Sequence, residues 1–240
     1  MRILTIGDIH GRSNWKEVID NNEFDLVIFL GDYVDSFHIK DNDILVNLLE
    51  IINYKKDNMD STILLFGNHD LMYYFSYGTH GCSGYRSSMY VALHTLFWEN
   101  RELFKASHQI GRYLWTHAGV TNGWYNDSIK LTLDEFGNSL SEQINNMFNS
   151  SKEWALSTVG YSRGGLRGDF GGPFWADESE IIHHPLQGYE QIVGHTPQRV
   201  AINTYGDFET KGYSYTFCDI MEKMAKGYLL EITNETKNDD

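Results

Sequence analysis

The chain has 240 residues, 41% hydrophobic and 14% aromatic, enough for a buried core in one sizeable α/β domain and far from a disordered composition. Its 33 acidic residues against 19 basic ones leave a net charge of −14, which excludes a general attraction to nucleic acid or to an anionic membrane. Two cysteines, Cys82 and Cys218, are too few for a disulfide framework, and no apolar stretch reaches the length of a signal peptide or a membrane span. The expectation is a cytoplasmic protein with both thiols reduced.

The first third of the chain repeats one pattern: a short apolar run, a tight polar turn, then a helix. Arg2–Ile6 reads as a buried strand that ends in Gly7-Asp8-Ile9-His10-Gly11, and Asn14 and Glu17 stand at capping-box spacing for the helix after it. Asp25–Leu30 is a second strand, ending in Gly31-Asp32-Tyr33-Val34-Asp35. Asp43–Lys55 then places Ile44, Leu48, Ile51 and Ile52 on one helical face. Ser61–Phe66 is a third strand, ending in Gly67-Asn68-His69-Asp70, with Asp70 predicted to cap the following helix.

Leu71–Lys105 reads as helical around a glycine-containing loop (Gly78–Gly84). Arg112–Trp115 is a strand ending in Thr116-His117-Ala118-Gly119, Leu131–Ser150 a helical insertion, and Gly160–Gly172 a long loop. Gln191–Val193 is a short strand ending in Gly194-His195-Thr196-Pro197. Arg199–Asn203, Tyr213–Ile220 and Gly227–Ile232 are β-rich, with a hairpin turn predicted near Lys223–Lys226. The whole reads as one domain, residues 1–233, with a polar tail, Asn234–Asp240.

Five strand ends therefore carry Asp, His, Asp, Asn, His and His. Any one such residue is more often a turn former or a cap. All five together, at the carboxyl ends of strands where α/β folds carry function, point to a metal site. Oxygen and imidazole ligands without thiolate suit manganese, iron or zinc. Asp8 and His10 lie two residues apart and reach one ion. Asp32 has two oxygens and bridges two ions, and Asn68, His117 and His195 complete the second. Metals roughly 3.5–4 Å apart clamp a phosphoryl group and ionise a bridging water for in-line attack. His69, beside the ligand Asn68, is the candidate general acid, with Asp35 holding one ring nitrogen and fixing the tautomer.

The motifs GDIHG, GDYVD, GNHD, THAG and GHTP, in this order from Gly7 to Pro197, resemble those of the calcineurin-like metallophosphoesterases. They are most similar to the phosphoprotein phosphatase branch with its bacterial and phage members. The resemblance implies a four-layered α/β/β/α sandwich in which two mixed sheets are flanked by helices. It implies one metal on Asp8, His10 and Asp32, a second on Asp32, Asn68, His117 and His195, and His69 with Asp35 as the proton-donor pair. It further implies a phosphorylated substrate and two divalent ions, manganese first and iron or zinc as alternatives. A nucleotide or dinucleoside polyphosphate hydrolase, or a phosphodiesterase, would use the same machinery.

The sequence departs from the family pattern where an arginine should follow Asp35 to grip phosphate; Ser36-Phe37 stands there instead. Where related phosphatases place a basic residue shortly after a GPFW-like motif, this chain has Asp177. Arg163, set between Ser162 and two glycines, is the first candidate for the missing grip, and Arg167 the second. Tyr161, Phe170, Phe174 and Trp175 are expected mainly to pin the glycine-rich loop, and His80, His94, His108, His183 and His184 to be ordinary.

Overall fold

A computed structural model of the chain describes residues 1–75, 82–130 and 137–233. The chain divides into two compact units. The first comprises Met1–Lys105 with Ile220–Ile232, and the second begins at Ala106 and runs to Asp219. The tail predicted from Asn234 onward lies outside the described residues, as do His80 and parts of the Gly78–Gly84 loop and of the Leu131–Ser150 insertion.

In the first unit the sheet order is β10-β1-β2-β3-β4. Strands β1 (Arg2–Ile6), β2 (Leu26–Phe29), β3 (Thr62–Leu65) and β4 (Phe104–Lys105) run parallel, and β10 (Tyr228–Glu231) closes the edge antiparallel to β1. The central strands are nearly continuous apolar runs because a parallel sheet is covered on both faces. Helix α1 (Trp15–Asp20) and helix α2 (Asp41–Asp57) supply part of that cover. Trp15 packs edge-on to Phe29 and Tyr54 and donates its ring N–H to Asn47 of α2. Ile44, Leu48, Ile51 and Ile52 are all buried, as the helical spacing predicts. Helices α3 (Asn68–Tyr74) and α4 (Tyr90–Glu99) complete the unit.

In the second unit the order is β5-β6-β7-β9-β8, with β6 (Tyr113–Thr116), β7 (Tyr189–Val193) and β9 (Tyr213–Phe217) parallel. Strands β5 (Ser107–Ile110) and β8 (Asn203–Asp207) are the antiparallel edges. A helical turn α5 (Asn122–Trp124), helix α6 (Leu140–Phe148), helix α7 (Glu178–His183) and a short helix α8 (Phe208–Lys211) surround this sheet. Ala118, Ala176, Ile181, Val193, Tyr215 and Phe217 form one buried cluster. Cys218 is buried too, as an apolar filler. Both sheets are mixed and both carry helices, as the metallophosphatase resemblance implies. Among the described residues no helix is long and apolar enough to cross a membrane.

Three local expectations are corrected. The turn near Lys223–Lys226 exists, but β9 and β10 belong to different sheets, so it closes no hairpin. The hairpin is instead β8–β9, joined through α8 and Gly212, whose φ of +73° no β-branched residue would tolerate. The strand expected at Arg199–Asn203 starts at Asn203, and Val200 is left exposed. Asn14 does not cap α1: its side chain donates to the carbonyl of Met221, a tertiary bond that outcompetes the local one.

Candidate metal centre

In the first unit, three neighbouring parallel strands deliver their polar turns to one sheet edge. Asp8 follows β1, Asp32 follows β2 and Asn68 opens α3 after β3; all three are at most 2% exposed. The turns are stitched by backbone bonds: the amides of Ile9 and His10 both donate to the carbonyl of Asp32, and that of Gly11 to Tyr33. A side chain at Gly67 would overlap Asp32, its β-carbon falling 2.2 Å from Oδ1, so only glycine lets β2 and β3 end side by side. Asp70 caps α3 as predicted, its side chain reaching back to the amide of the residue before the helix. It is the third residue of α3, and its two oxygens accept from the amides of Gly67 and Tyr33, tying the second and third turns together. Burial, then Asp32, holds its pKa well above the usual carboxylate range.

Backbone strain marks the same residues. Among the described non-glycine residues only His10, Asp32, Asp35 and His195 have positive φ, between 46° and 65°. That conformation costs on the order of 1–3 kcal/mol per residue and persists only where the surroundings impose it. All four belong to the site read from the sequence.

The side chains converge. A nitrogen of His10, an oxygen of Asp32 and a nitrogen of His69 all lie within 4.8 Å of one another, a grouping able to hold an ion. The Nδ1–H of His10 donates to the carbonyls of Val34 and Asp35, which leaves Nε2 as a lone-pair donor 3.8 Å from Asp32. Burial lowers the pKa of His10 against the pull of Asp32, so the ring stays neutral and fit to ligate. His69 differs. Burial opposes its charge, but Asp32 and a bond from Nδ1 to Asp35 Oδ2 at 2.9 Å outweigh that, and its pKa is pushed up to about 9. Asp8, Asp32 and Asp35, all buried in this one unit, concentrate carboxylates in a way that suits a bound cation. Asn68 directs its amide N–H₂ to the sulfur of Cys82 at 3.2 Å, which makes the amide oxygen the atom of this side chain suited to ligate an ion.

In the second unit, His117 follows β6 and His195 follows the adjacent parallel strand β7. The amide of Gly194 donates to the carbonyl of His117, and the two rings meet with Nε2 of His117 3.1 Å from Nδ1 of His195. Trp175 packs edge-on to His195, and Phe174 is fully buried. Arg163 also reaches this corner: it donates to Thr196 at 2.9 Å and pairs with Asp177 at 2.7 Å. The acidic residue that stands where a basic one is expected thus neutralises the candidate phosphate clamp. Arg167 is exposed, as is Tyr161, and Phe170 packs on Gly123 and His184.

Two contributors escaped the sequence reading. Tyr73 donates its hydroxyl to Asp35 at 2.5 Å, and its place four residues after His69 on α3 puts it on the same helical face, a usable signal. Arg86 threads its guanidinium onto the carbonyls of Ser36 and Ile39 and onto Asp41. An arginine does serve the loop after Asp35, but by holding its backbone, and nothing in the local sequence marks it.

Buried aspartates and histidines at strand ends, with one histidine kept neutral and another beside a carboxylate, define a metal-dependent phosphoesterase, a hydrolase of the α/β metallophosphatase class. The family described as calcineurin-like phosphoesterase matches residues 1–220, and the chain belongs to it. No curated protein matches at a significant level. Among solved structures, a cold-active protein-tyrosine phosphatase of the psychrophile Shewanella sp. superposes with a TM-score of 0.56 at 18% identity, covering 96% of this chain and 75% of its own. At that identity the likeness is one of fold. A protein serine/threonine phosphatase from Saccharomyces cerevisiae gives a TM-score of 0.46 at 15% identity, covering 98% of this chain and 82% of its own.

Proposed function

We propose that the chain is a phosphomonoesterase of the phosphoprotein phosphatase type, working with two divalent ions, manganese first and iron or zinc as alternatives. Asp8, His10 and Asp32 hold one ion and Asp32, Asn68, His117 and His195 the other, so that residues 1–233 act as one catalytic domain. The bound ions would neutralise the phosphoryl oxygens and activate water. The chain's own chemistry is the proton. Asp35 holds Nδ1 of His69, so the ring presents Nε2, 4.0 Å from Asp32, as the donor to a departing alkoxide. That pair carries the reading, because a stable alkyl ester needs its leaving group protonated. The Shewanella protein of the same fold is named a protein-tyrosine phosphatase, which is in keeping with a phosphomonoester substrate.

A second reading has an observation in its favour. Arg163 is already paired with Asp177, so it offers a dianionic monoester less counter-charge than an unpaired arginine would. A phosphodiester or a nucleotide, with less charge at the reacting phosphorus, would suit such a site. Both readings are tested on metal-stripped enzyme reconstituted with manganese, iron or zinc and assayed on phosphopeptides, aryl phosphates, dinucleoside polyphosphates and cyclic nucleotides. Turnover of phosphopeptides and aryl monoesters is expected. Turnover confined to diesters or polyphosphates would replace the first reading with the second.

A further inference from the structure

The helix that begins at Asn68 and His69 turns once and brings Tyr73 beneath Asp35. Tyr73 is fully buried, stacked on Tyr85 with ring centroids 5.0 Å apart. Its hydroxyl makes two bonds of opposite sense. The backbone N–H of Arg86 donates to its oxygen at 3.0 Å, and the hydroxyl proton goes to Asp35 Oδ1. A phenol has one proton to give, and with an amide already donating to its oxygen that proton is committed to Asp35. The other oxygen of Asp35 accepts from His69 Nδ1. The result is an ordered chain: Arg86 amide, Tyr73 hydroxyl, Asp35 carboxylate, His69 ring.

Asp35 also sits at a φ of 59° and is about 4% exposed, so its carboxylate has neither a relaxed backbone nor water to orient it. Arg86 secures the same loop from outside through Ser36 and Ile39. We propose that Tyr73 is a positioning residue for phosphoester hydrolysis, locking the Asp35 carboxylate so that His69 keeps its Nδ1 proton inward and offers Nε2 to the leaving group. This rests on the assignment of His69 as the proton donor. Tyr73 touches no substrate, and its effect is transmitted only through Asp35.

The test compares kcat for an alkyl and an aryl phosphate in the metal-loaded wild type, Tyr73→Phe, His69→Asn and the double variant. Tyr73→Phe should lose on the order of ten-fold on the alkyl ester and little on the aryl ester, whose leaving group needs less protonation. Metal content and melting temperature are measured alongside. In the His69→Asn background the same substitution should cost nothing further. An equal loss on both esters, or a loss that persists without His69, overturns the positioning role while leaving His69 in place. If His69→Asn itself shows no leaving-group dependence, the proton-donor assignment falls and the role of Tyr73 with it. On the unaltered protein, the Tyr73 hydroxyl proton should appear as a slowly exchanging, downfield NMR signal that Asp35→Asn, with a neutral and weaker acceptor, shifts upfield. Its absence would overturn the proposal even if the phenylalanine variant failed to fold.

Discussion

His117 Nε2 lies 3.1 Å from His195 Nδ1, at the ends of adjacent parallel strands and out of water. Two imidazole nitrogens so close either share a proton or direct lone pairs at a common cation. If they serve a cation, manganese at about a hundred times its dissociation constant should stabilise the protein by about 2.7 kcal/mol. His117→Ala should abolish much of that gain. Thermal melting with and without chelator checks it, and a melting temperature indifferent to metal would remove both histidines from the ligand set.

Asp32 is held at a φ of 50° with its carbonyl taking two amides and one side-chain oxygen accepting from the amide of His69. Asp32→Asn keeps the shape and removes the charge. Turnover should be lost while circular dichroism stays unchanged, because on the proposed assignment the substitution removes the charge that bridges the two ions. An active Asp32→Asn variant with two bound metals would end the bridging assignment.

His69 offers a test without substrate. In metal-stripped protein its ring should titrate near 9, well above the 6.5 of an unfolded chain. A raised histidine pKa stabilises the fold fully below pH 6.5, and the contribution disappears as pH rises from there through 9. NMR titration gives the pKa, and Asp35→Asn should lower it. Metal loading should lower it as well, since the cations replace the ring's positive charge in balancing Asp32. A metal-free value at or below 6.5 would contradict the pairing.

Asp70→Ala should destabilise the protein by about 2–4 kcal/mol, because it leaves the buried amides of Gly67 and Tyr33 without an acceptor. Urea unfolding of the metal-free protein measures this. The asparagine variant, with one oxygen left, should fall between. A cost below about 0.5 kcal/mol would mean that the two turns hold their shape without it.

Arg163→Ala should lower kcat/KM on dianionic monoesters with metal occupancy unchanged and stability reduced by no more than about 1 kcal/mol, its ion pair being partly exposed. Asp177→Ala is the sharper experiment. If Arg163 faces substrate, releasing it from Asp177 should raise affinity for a dianion, seen as a lower KM. No change in either variant would assign Arg163 to the Thr196 loop alone.

The strand-and-turn grammar of the first unit was legible because a buried parallel strand is an unbroken apolar run and glycine marks its end. Arg2–Ile6 needed no revision, and the α2 face from Ile44 to Ile52 followed from spacing alone. What failed depended on partners far along the chain. Nothing near Asn14 announces Met221, and nothing near Lys223 says that the next strand pairs with β1 in the other sheet. Strand β5 was missed although Gly111, at a φ of 53°, closes a two-residue turn between Ile110 and Tyr113 that a glycine search would have flagged. At the site, the ligand candidates were visible because they sit in the turns themselves. Tyr73 and Arg86 were not, because their roles exist only after α3 and its following segment fold back on Asp35.

The four left-handed non-glycine residues set the backbone's local preference against the side chains it carries. At His10, Asp32, Asp35 and His195 the backbone asks for glycine, and each replacement would relieve roughly 1 kcal/mol or more of conformational cost. Asp32, Asp35 and His195 add the cost of burying a polar side chain. At Asp32 and Asp35 glycine would in turn strand the His69 amide, the His69 ring N–H and the Tyr73 hydroxyl, so the side chains' own bonds hold the strained backbone in place against its local preference.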